Sequence, residues 1–377
     1  MRTRRPSRVA PNEGPPEMRV GIDARELCGR STGVGRYLSG LLYQWAGDDR
    51  ARRHEFVLYA HQPLGIPLDA RRFATRVVAG SGGTRWEQQQ LLTAVARDHL
   101  DVFFAPGYTA PLLTRIPLVV AIHDVSFAAH PEWFSAREGL RRRVVTRRVA
   151  HAARAITTLS EFSKRELIDL LAVPADKIHI IRPGVAGPIA GPRPSGSDLQ
   201  PRVLYVGSIF NRRHVPDLIR AFAQMARVHR DAVLDIVGDD RSYPREDVVA
   251  AIAREGMERR IRWHQYVTDR ELSDLYASAK AFAFLSEYEG LGLTPLEALT
   301  CGVPPVLLDT PVARESCGDA ALYVRKGDIP QTSAALEQLL FNEAARHSLL
   351  AAAPAVLARY DWSLAARQTL AVLEGAA

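Results

Sequence analysis

Only three of the 377 residues are cysteine, Cys28, Cys301 and Cys317. They have no metal-ligand spacing, and any disulfide among them leaves one thiol over. A disulfide-framework protein is thereby excluded, and a reducing, cytoplasmic setting is expected. No apolar run reaches the ~20 residues that cross a bilayer. No secretory signal opens the chain. The first glycine-rich loop, Ser31-Thr32-Gly33-Val34-Gly35-Arg36-Tyr37, is not the dinucleotide fingerprint, so a nicotinamide cofactor is disfavoured. There is no helix-turn-helix signal and no aromatic-basic stacking surface, which argues against nucleic acid as a partner.

The composition is that of a globular protein with ample core. Apolar residues make up 47% and charged residues 24%, and the length suits two domains. The net charge of +7 favours anionic partners without choosing among them. Residues 1–17 carry Arg2, Arg4, Arg5 and Arg8 among four prolines and read as a disordered basic tail. Residues 186–200 hold three glycines, three prolines and two serines and read as a linker.

On either side of that linker, apolar strand candidates alternate with helical stretches. The first side offers Arg19–Ala24, Phe56–Tyr59, Thr75–Val78, Val102–Phe104, Pro117–Ile122, Ala155–Thr158 and Ile178–Val185. The second offers Val203–Ser208, Val233–Gly238, Ile261–Val267, Ala281–Leu285, Pro305–Leu308 and Ala321–Val324. This is the parallel, doubly wound α/β pattern, twice over, with ligand sites expected at strand C-terminal ends. The domains are expected at residues 18–185 and 201–359, with a last helix near 360–377 packing back on the first. At those strand ends stand His123-Asp124 in the first half and Asn211-Arg212-Arg213-His214 in the second. Two arginines just before a helix are placed to grip a diphosphate.

The most informative stretch is Ser286-Glu287-Tyr288-Glu289-Gly290-Leu291-Gly292-Leu293-Thr294-Pro295-Leu296-Glu297-Ala298-Leu299. It predicts strand, glycine turn, helix, with Thr294 as N-cap, Pro295 at the first helical position and Glu297 three residues after the cap. Backbone N–H groups and a positive helix end then lie at the edge of a sheet, where an anion binds well. Glu289 and Glu297 bracket the turn and can face one cavity. Taken alone, Glu297 reads equally well as a capping-box residue.

From Glu289 to Leu299 the chain resembles the signature of retaining glycosyltransferases of the GT-B fold, family 4, and the resemblance runs along nearly its whole length. It implies two Rossmann-like domains facing across a cleft. It also implies a nucleoside diphosphate sugar as co-substrate, GDP-mannose or a UDP-hexose, with no cofactor and no metal. Asp239-Asp240 are adjacent, so their side chains diverge, and no Asp-x-Asp metal motif matches in position. By resemblance, Glu289, His123, Arg212 and Arg213 serve the reaction. Gly33, Gly207, Tyr266, Gly290, Gly292, Leu293, Thr294 and Glu297 join Glu289 and the two arginines around the donor. Glu297 would hold the ribose hydroxyls, Glu289 a sugar hydroxyl, and His123 would reach the transferred sugar. The chain departs from the family pattern at Arg213 (usually lysine), His214 (usually asparagine), Gln265 (usually glycine) and Ala186 (usually aspartate).

The implied acceptor is a glycan or a lipid-linked saccharide, in cell-surface polysaccharide or glycoconjugate synthesis. Residues 137–154 form a basic amphipathic helix with Arg137, Arg141, Arg142, Arg143, Arg147, Arg148 and Arg154. It reads either as a solvated face or as a dock on anionic lipid at the inner face of the plasma membrane. A sugar-nucleotide epimerase on the same fold and a non-catalytic basic binding protein are the alternatives.

Overall fold

The computed structural model describes residues 16–29, 32–187 and 200–377. The basic tail through residue 15 and most of the expected linker lie outside the described residues. Two wholly parallel sheets form. The first contains β1 (Met18–Asp23), β2 (His54–Ala60), β3 (Phe73–Val77), β4 (Val102–Ala105), β5 (Leu118–Ala121), β6 (Ala155–Thr158) and β7 (Ile178–Ile180). Their order is β3-β2-β1-β4-β5-β6-β7. The second contains β8 (Arg202–Val206), β9 (Val233–Val237), β10 (Ile261–His264), β11 (Ala281–Phe284), β12 (Pro305–Leu308) and β13 (Leu322–Val324), in the order β10-β9-β8-β11-β12-β13. Strands such as β4, β5, β9 and β11 are buried along their whole length. That is why they read as unbroken apolar runs rather than alternating ones.

In each sheet the strand order reverses once, between β1 and β4 and between β8 and β11. At such a reversal the loops leave in opposite directions and open a crevice at the strand C-terminal ends. The chain places its glycine-rich and arginine-rich loops at these two points, and the crevices face each other.

The helix Trp362–Ala376 crosses back to the first half and lies on the helix Gly33–Gly47. Trp45 Nε1 donates to Ala366 O at 2.9 Å, and Glu374 accepts from Arg50 and from His54 Nε2. The entry to this helix is fixed by Trp362. A Cβ added at Gly40 would fall 2.5 Å from its ring, and one at Gly184 only 2.2 Å. Both positions therefore require glycine.

The two halves meet along a seam of specific contacts. Gly290 O accepts from Ser160 Oγ at 2.6 Å, and a Cβ on Gly290 would lie 2.0 Å from His123 O. Tyr288 inserts into the first half beside Phe162, His130 and Trp133. Its hydroxyl donates to Glu166 at 3.2 Å and accepts the Val125 N–H at 3.3 Å. Glu315 accepts the N–H groups of Glu161 and Phe162 at 2.8 and 3.0 Å, at the start of the helix Glu161–Leu171. A carboxylate there meets unsatisfied donors and the positive helix end together. Arg182 reaches the same carboxylate at 3.2 Å.

Trp362→Ala is expected to lower the unfolding free energy by about 2–4 kcal/mol. Denaturant titration measures it, and hydrogen exchange should localise the loss to the terminal helix. Gly290→Ala should push the halves apart at the seam, raising the radius of gyration in small-angle scattering and lowering the melting temperature. Unchanged values for both would mean the seam tolerates the methyl group.

Candidate active site

Between the facing crevices lies a cavity of about 690 Å³ lined by residues of both halves. Among the first-half residues are Gly33, Arg36, Tyr37, Tyr108, His123 and Asp124. From the second half come Arg212, Arg213, Glu297 and the turn Glu289–Thr294.

The helix Gly33–Gly47 starts at the β1 crevice because Thr32 caps it, its Oγ1 accepting the Gly35 N–H at 2.9 Å. The Arg36 N–H goes to Thr32 O. The N–H groups of Gly33 and Val34, both cavity residues, are the ones left for a ligand. A Cβ added at Gly33 would meet nothing within 4 Å, so the missing side chain leaves cavity space open.

His123 follows β5 and is buried. Its Nε2 lies 2.8 Å from Pro106 O. A carbonyl only accepts, so Nε2 carries the proton and Nδ1 of the neutral ring is an acceptor. Burial lowers the imidazole pKa, partly offset by that hydrogen bond and by Asp124, so the ring is neutral at pH 7. Tyr37 and Tyr108 approach it edge-on, at 4.8 and 5.6 Å between centroids. Tyr108 has φ +63°, a conformation that costs energy in a bulky residue. Its hydroxyl donates to Asp124 at 2.7 Å, which holds the carboxylate in place beside the histidine.

In the second half β8 runs into Gly207, whose φ is +146° and whose Cβ would strike Arg213 Nη1 at 2.6 Å. Glycine there makes room for the Arg213 guanidinium. Arg213 donates to Ser208 O at 2.8 Å and to Glu289 Oε1 at 3.0 Å through Nε. It lies over Phe284. Glu289 Oε1 also accepts from Ser286 Oγ at 2.9 Å. Arg213 is thus spent on orienting Glu289, where the sequence suggested a direct grip on phosphate.

Arg212 is the opposite case. Its guanidinium sits over Phe210 and Trp133, and Nε is buried with no hydrogen-bond partner. Among the described residues it forms no ion pair. A half-buried guanidinium on the cavity wall with no carboxylate partner is suited to an anion.

The glycine turn differs from the sequence reading in one respect. The helix is Leu293–Thr300, and its N-cap is Gly292 at φ +85°. Thr294 is inside the helix, its Oγ1 buried without a partner, and no side chain caps the end. The left-handed glycine starts the helix two residues earlier than a threonine cap would, because it turns the chain at no steric cost. Glu297 is therefore not a capping-box residue. Its side chain faces the cavity and meets Arg36 Nη1 across the cleft at 3.2 Å. Burial raises its pKa, and Arg36 opposes that shift.

Gly207 lies beneath Arg213 and does not line the cavity, and Tyr266 is 75% exposed and outside it. Arg36, Tyr37, Tyr108 and Trp362 line the cavity without a role assigned from the sequence, and Asp124, read there only as a strand-end residue, joins them. For Arg36 a signal existed: it stands three residues after Gly33 on one helix face. Tyr108 carried none, since positive φ is anticipated at glycine or asparagine rather than tyrosine. Among the described residues no group of three or more His, Cys, Asp or Glu side chains could hold a metal.

Comparison with known proteins bears on the family and the fold. The family model for Glycosyltransferase Family 4 matches residues 32–186, and that for Glycosyl transferases group 1 matches residues 193–356. O-antigen chain mannosyltransferase B of Escherichia coli is 29% identical over 286 residues, 73% of this chain and 74% of its own. Alpha-D-kanosaminyltransferase of Streptomyces kanamyceticus is 25% identical over 330 residues, 81% of this chain and 85% of its own. Among solved structures, Anabaena HepE in complex with UDP-glucose superimposes with a TM-score of 0.76 at 18% identity, covering 95% of this chain and all of that one. WaaG, a glycosyltransferase involved in lipopolysaccharide biosynthesis, gives 0.72 at 17%, with the same coverage. The fold of both is the one described above, and the chain belongs to the group 1, family 4 glycosyltransferases of the GT-B fold.

Proposed function

We propose that this glycosyltransferase moves a hexose from a nucleoside diphosphate sugar, GDP-mannose or a UDP-hexose, to a glycan or lipid-linked acceptor. The anomeric configuration is retained and no metal takes part. The observation that carries this reading is Arg212, half-buried and with no ion-pair partner among the described residues, in one cavity with two helix N-termini. A dianionic diphosphate satisfies all three. The relatives support it: one is named for mannosyl transfer and one neighbour is titled with UDP-glucose bound.

In this reading Arg212, the N–H groups of Gly33 and Val34, and the first turn of Leu293–Thr300 hold the diphosphate. Glu297 accepts from the ribose hydroxyls. Glu289, fixed by Arg213 and Ser286, accepts from a hydroxyl of the sugar, and Nδ1 of His123 accepts from another. The bond from the anomeric carbon to the phosphate oxygen breaks with its electron pair going to the diphosphate. The acceptor oxygen attacks the same face, and its proton passes to the departing phosphate. Negative charge grows on the leaving group as the bond breaks, so fixed positive charge there lowers the barrier. One guanidinium at ~4 Å and an effective dielectric of ~20 contributes up to about 4 kcal/mol in raw Coulomb terms. Half of that is more than tenfold in rate.

The acceptor side supports a surface-bound substrate. The helix Ala136–Ala152 exposes Arg137, Arg141, Arg142, Arg147 and Arg148 together with Leu140 and Val144. Among the described residues no helix is long and apolar enough to cross a membrane, so contact through this helix would be peripheral.

Arg212→Ala and Glu297→Ala are each expected to lower transfer at least about tenfold with an unchanged circular dichroism spectrum. Transfer should persist in EDTA, and NMR of the product should show the donor's anomeric configuration. Transfer unaffected by both substitutions would overturn the donor site. Replacing Arg137, Arg141, Arg147 and Arg148 by Glu should weaken binding to phosphatidylglycerol vesicles at least about tenfold. It should leave the weak binding to phosphatidylcholine vesicles as it was.

A further inference from the structure

The proposed donor site has a carboxylate whose counter-charge comes from the other half of the molecule. Glu297 is on the helix Leu293–Thr300 of the second half, and Arg36 is on the first turn or so of Gly33–Gly47. Their side chains meet at 3.2 Å, and the Glu297 side chain is only 14% exposed. The other titratable groups packed near Glu297 supply no positive charge. Tyr276 is buried beneath it on the helix Asp269–Ser278, and Cys301 follows the Leu293 helix. Of the two second-half arginines that line the cavity, Arg213 pairs with Glu289, and Arg212 lies over Phe210 and Trp133 with no ion pair to Glu297. On the first half Gly33, Val34 and Tyr37 bring no charge to the cavity wall beside Arg36.

We infer that Arg36 is a positioning residue of the donor site: it reaches across the cleft to keep Glu297 ionised and oriented for the ribose hydroxyls. An ionised carboxylate accepts from both hydroxyls of a ribose, whereas a protonated one uses part of its capacity as a donor. Burial alone drives Glu297 toward the protonated form, and the guanidinium opposes it. The carboxylate is thus competent for the donor at lower pH than its burial would otherwise permit. Arg36 itself is 56% exposed, so the pair is screened and its effect modest. Arginine suits this role because it stays charged at any working pH and presents donors in a plane. The inference rests on the donor reading above, in which Glu297 binds the ribose.

The test is donor binding by the full chain as a function of pH, followed by calorimetry with UDP-glucose and GDP-mannose. In the wild type, affinity should fall on the acid side as Glu297 protonates. Arg36→Ala should move that acid limb to higher pH and weaken binding about two- to fivefold near neutrality. Donor KM should rise by the same factor, with kcat changed less. Arg36→Lys should restore part of the limb. Glu297→Gln should flatten it, and adding Arg36→Ala to Glu297→Gln should shift nothing further. An acid limb and affinity unchanged in Arg36→Ala, with Glu297→Gln still weakening the donor, would overturn the role of Arg36 alone. Unchanged donor affinity in Glu297→Gln would overturn the ribose assignment beneath it. If Arg36→Ala weakened binding equally at every pH, the residue would be a plain donor contact and the inference would fall.

Discussion

The molecule depends on one close approach, the passage of the Gly290 backbone under the strand end that carries His123. With 2.0 Å between a would-be Cβ and His123 O, only a residue without a side chain lets the halves meet there. The contact is sealed by hydrogen bonds from Ser160 to Gly290 O, by the Tyr288 ring among first-half aromatics, and by Glu315 on a helix N-terminus. Once the seam is fixed, so is the distance between the residues on either side of it. Glu289 immediately precedes Gly290, and His123 lies directly across. Two groups from different domains are thereby held toward one volume without sharing a secondary-structure element. The cost of ordering them is met mainly by the seam, away from the reacting atoms.

The cavity separates its charges by function. The Arg213–Glu289 pair is internally neutral and serves geometry, since each partner fixes the other and Ser286 and Ser208 fix both. Arg212 is a net charge stacked on aromatic faces that offer it only weak compensation. A neutral pair beside an uncompensated cation lets the same loop supply both orientation and electrostatic pull. Two adjacent arginines in the sequence thus have different physical roles, and their neighbours decide which has which. Phe210 and Trp133 take one, and the space left by Gly207 admits the other to Glu289.

Much of this was legible in the chain, and particular residues show why. The thirteen strands of the described residues fall within or beside the runs read from the sequence, and those buried on both faces, such as β4, β5, β9 and β11, have nothing to alternate with. Boundaries moved by one to several residues; the run Ile261–Val267 stops pairing at His264. The helix starts at Leu293 rather than after a Thr294 cap for a definite reason. A Thr-Pro-x-Glu pattern scores as a helix start, but a left-handed Gly292 upstream outcompetes it and frees Glu297 for the cleft. Sequence could not reveal the Arg36–Glu297 contact, because 261 residues separate the partners and only the seam brings them together. Nor could it separate Arg213 from Arg212, since the difference lies in what each one touches. Tyr266, placed by pattern near the donor, lies on the surface.

The helix Trp362–Ala376 has a consequence for how the protein is made. It covers Trp45 and supplies the partners of Arg50 and His54, all belonging to the first half. Yet nearly the whole second half is translated in between. While the ribosome is producing residues 201–361, the amino-terminal unit carries an uncovered apolar groove along Gly33–Gly47, including the slot that Gly40 and Gly184 keep for Trp362. Domain-by-domain folding during synthesis is therefore interrupted here. The surface of the first half is completed by a helix that follows the second half in the chain, so its packing depends on residues translated after an entire intervening domain.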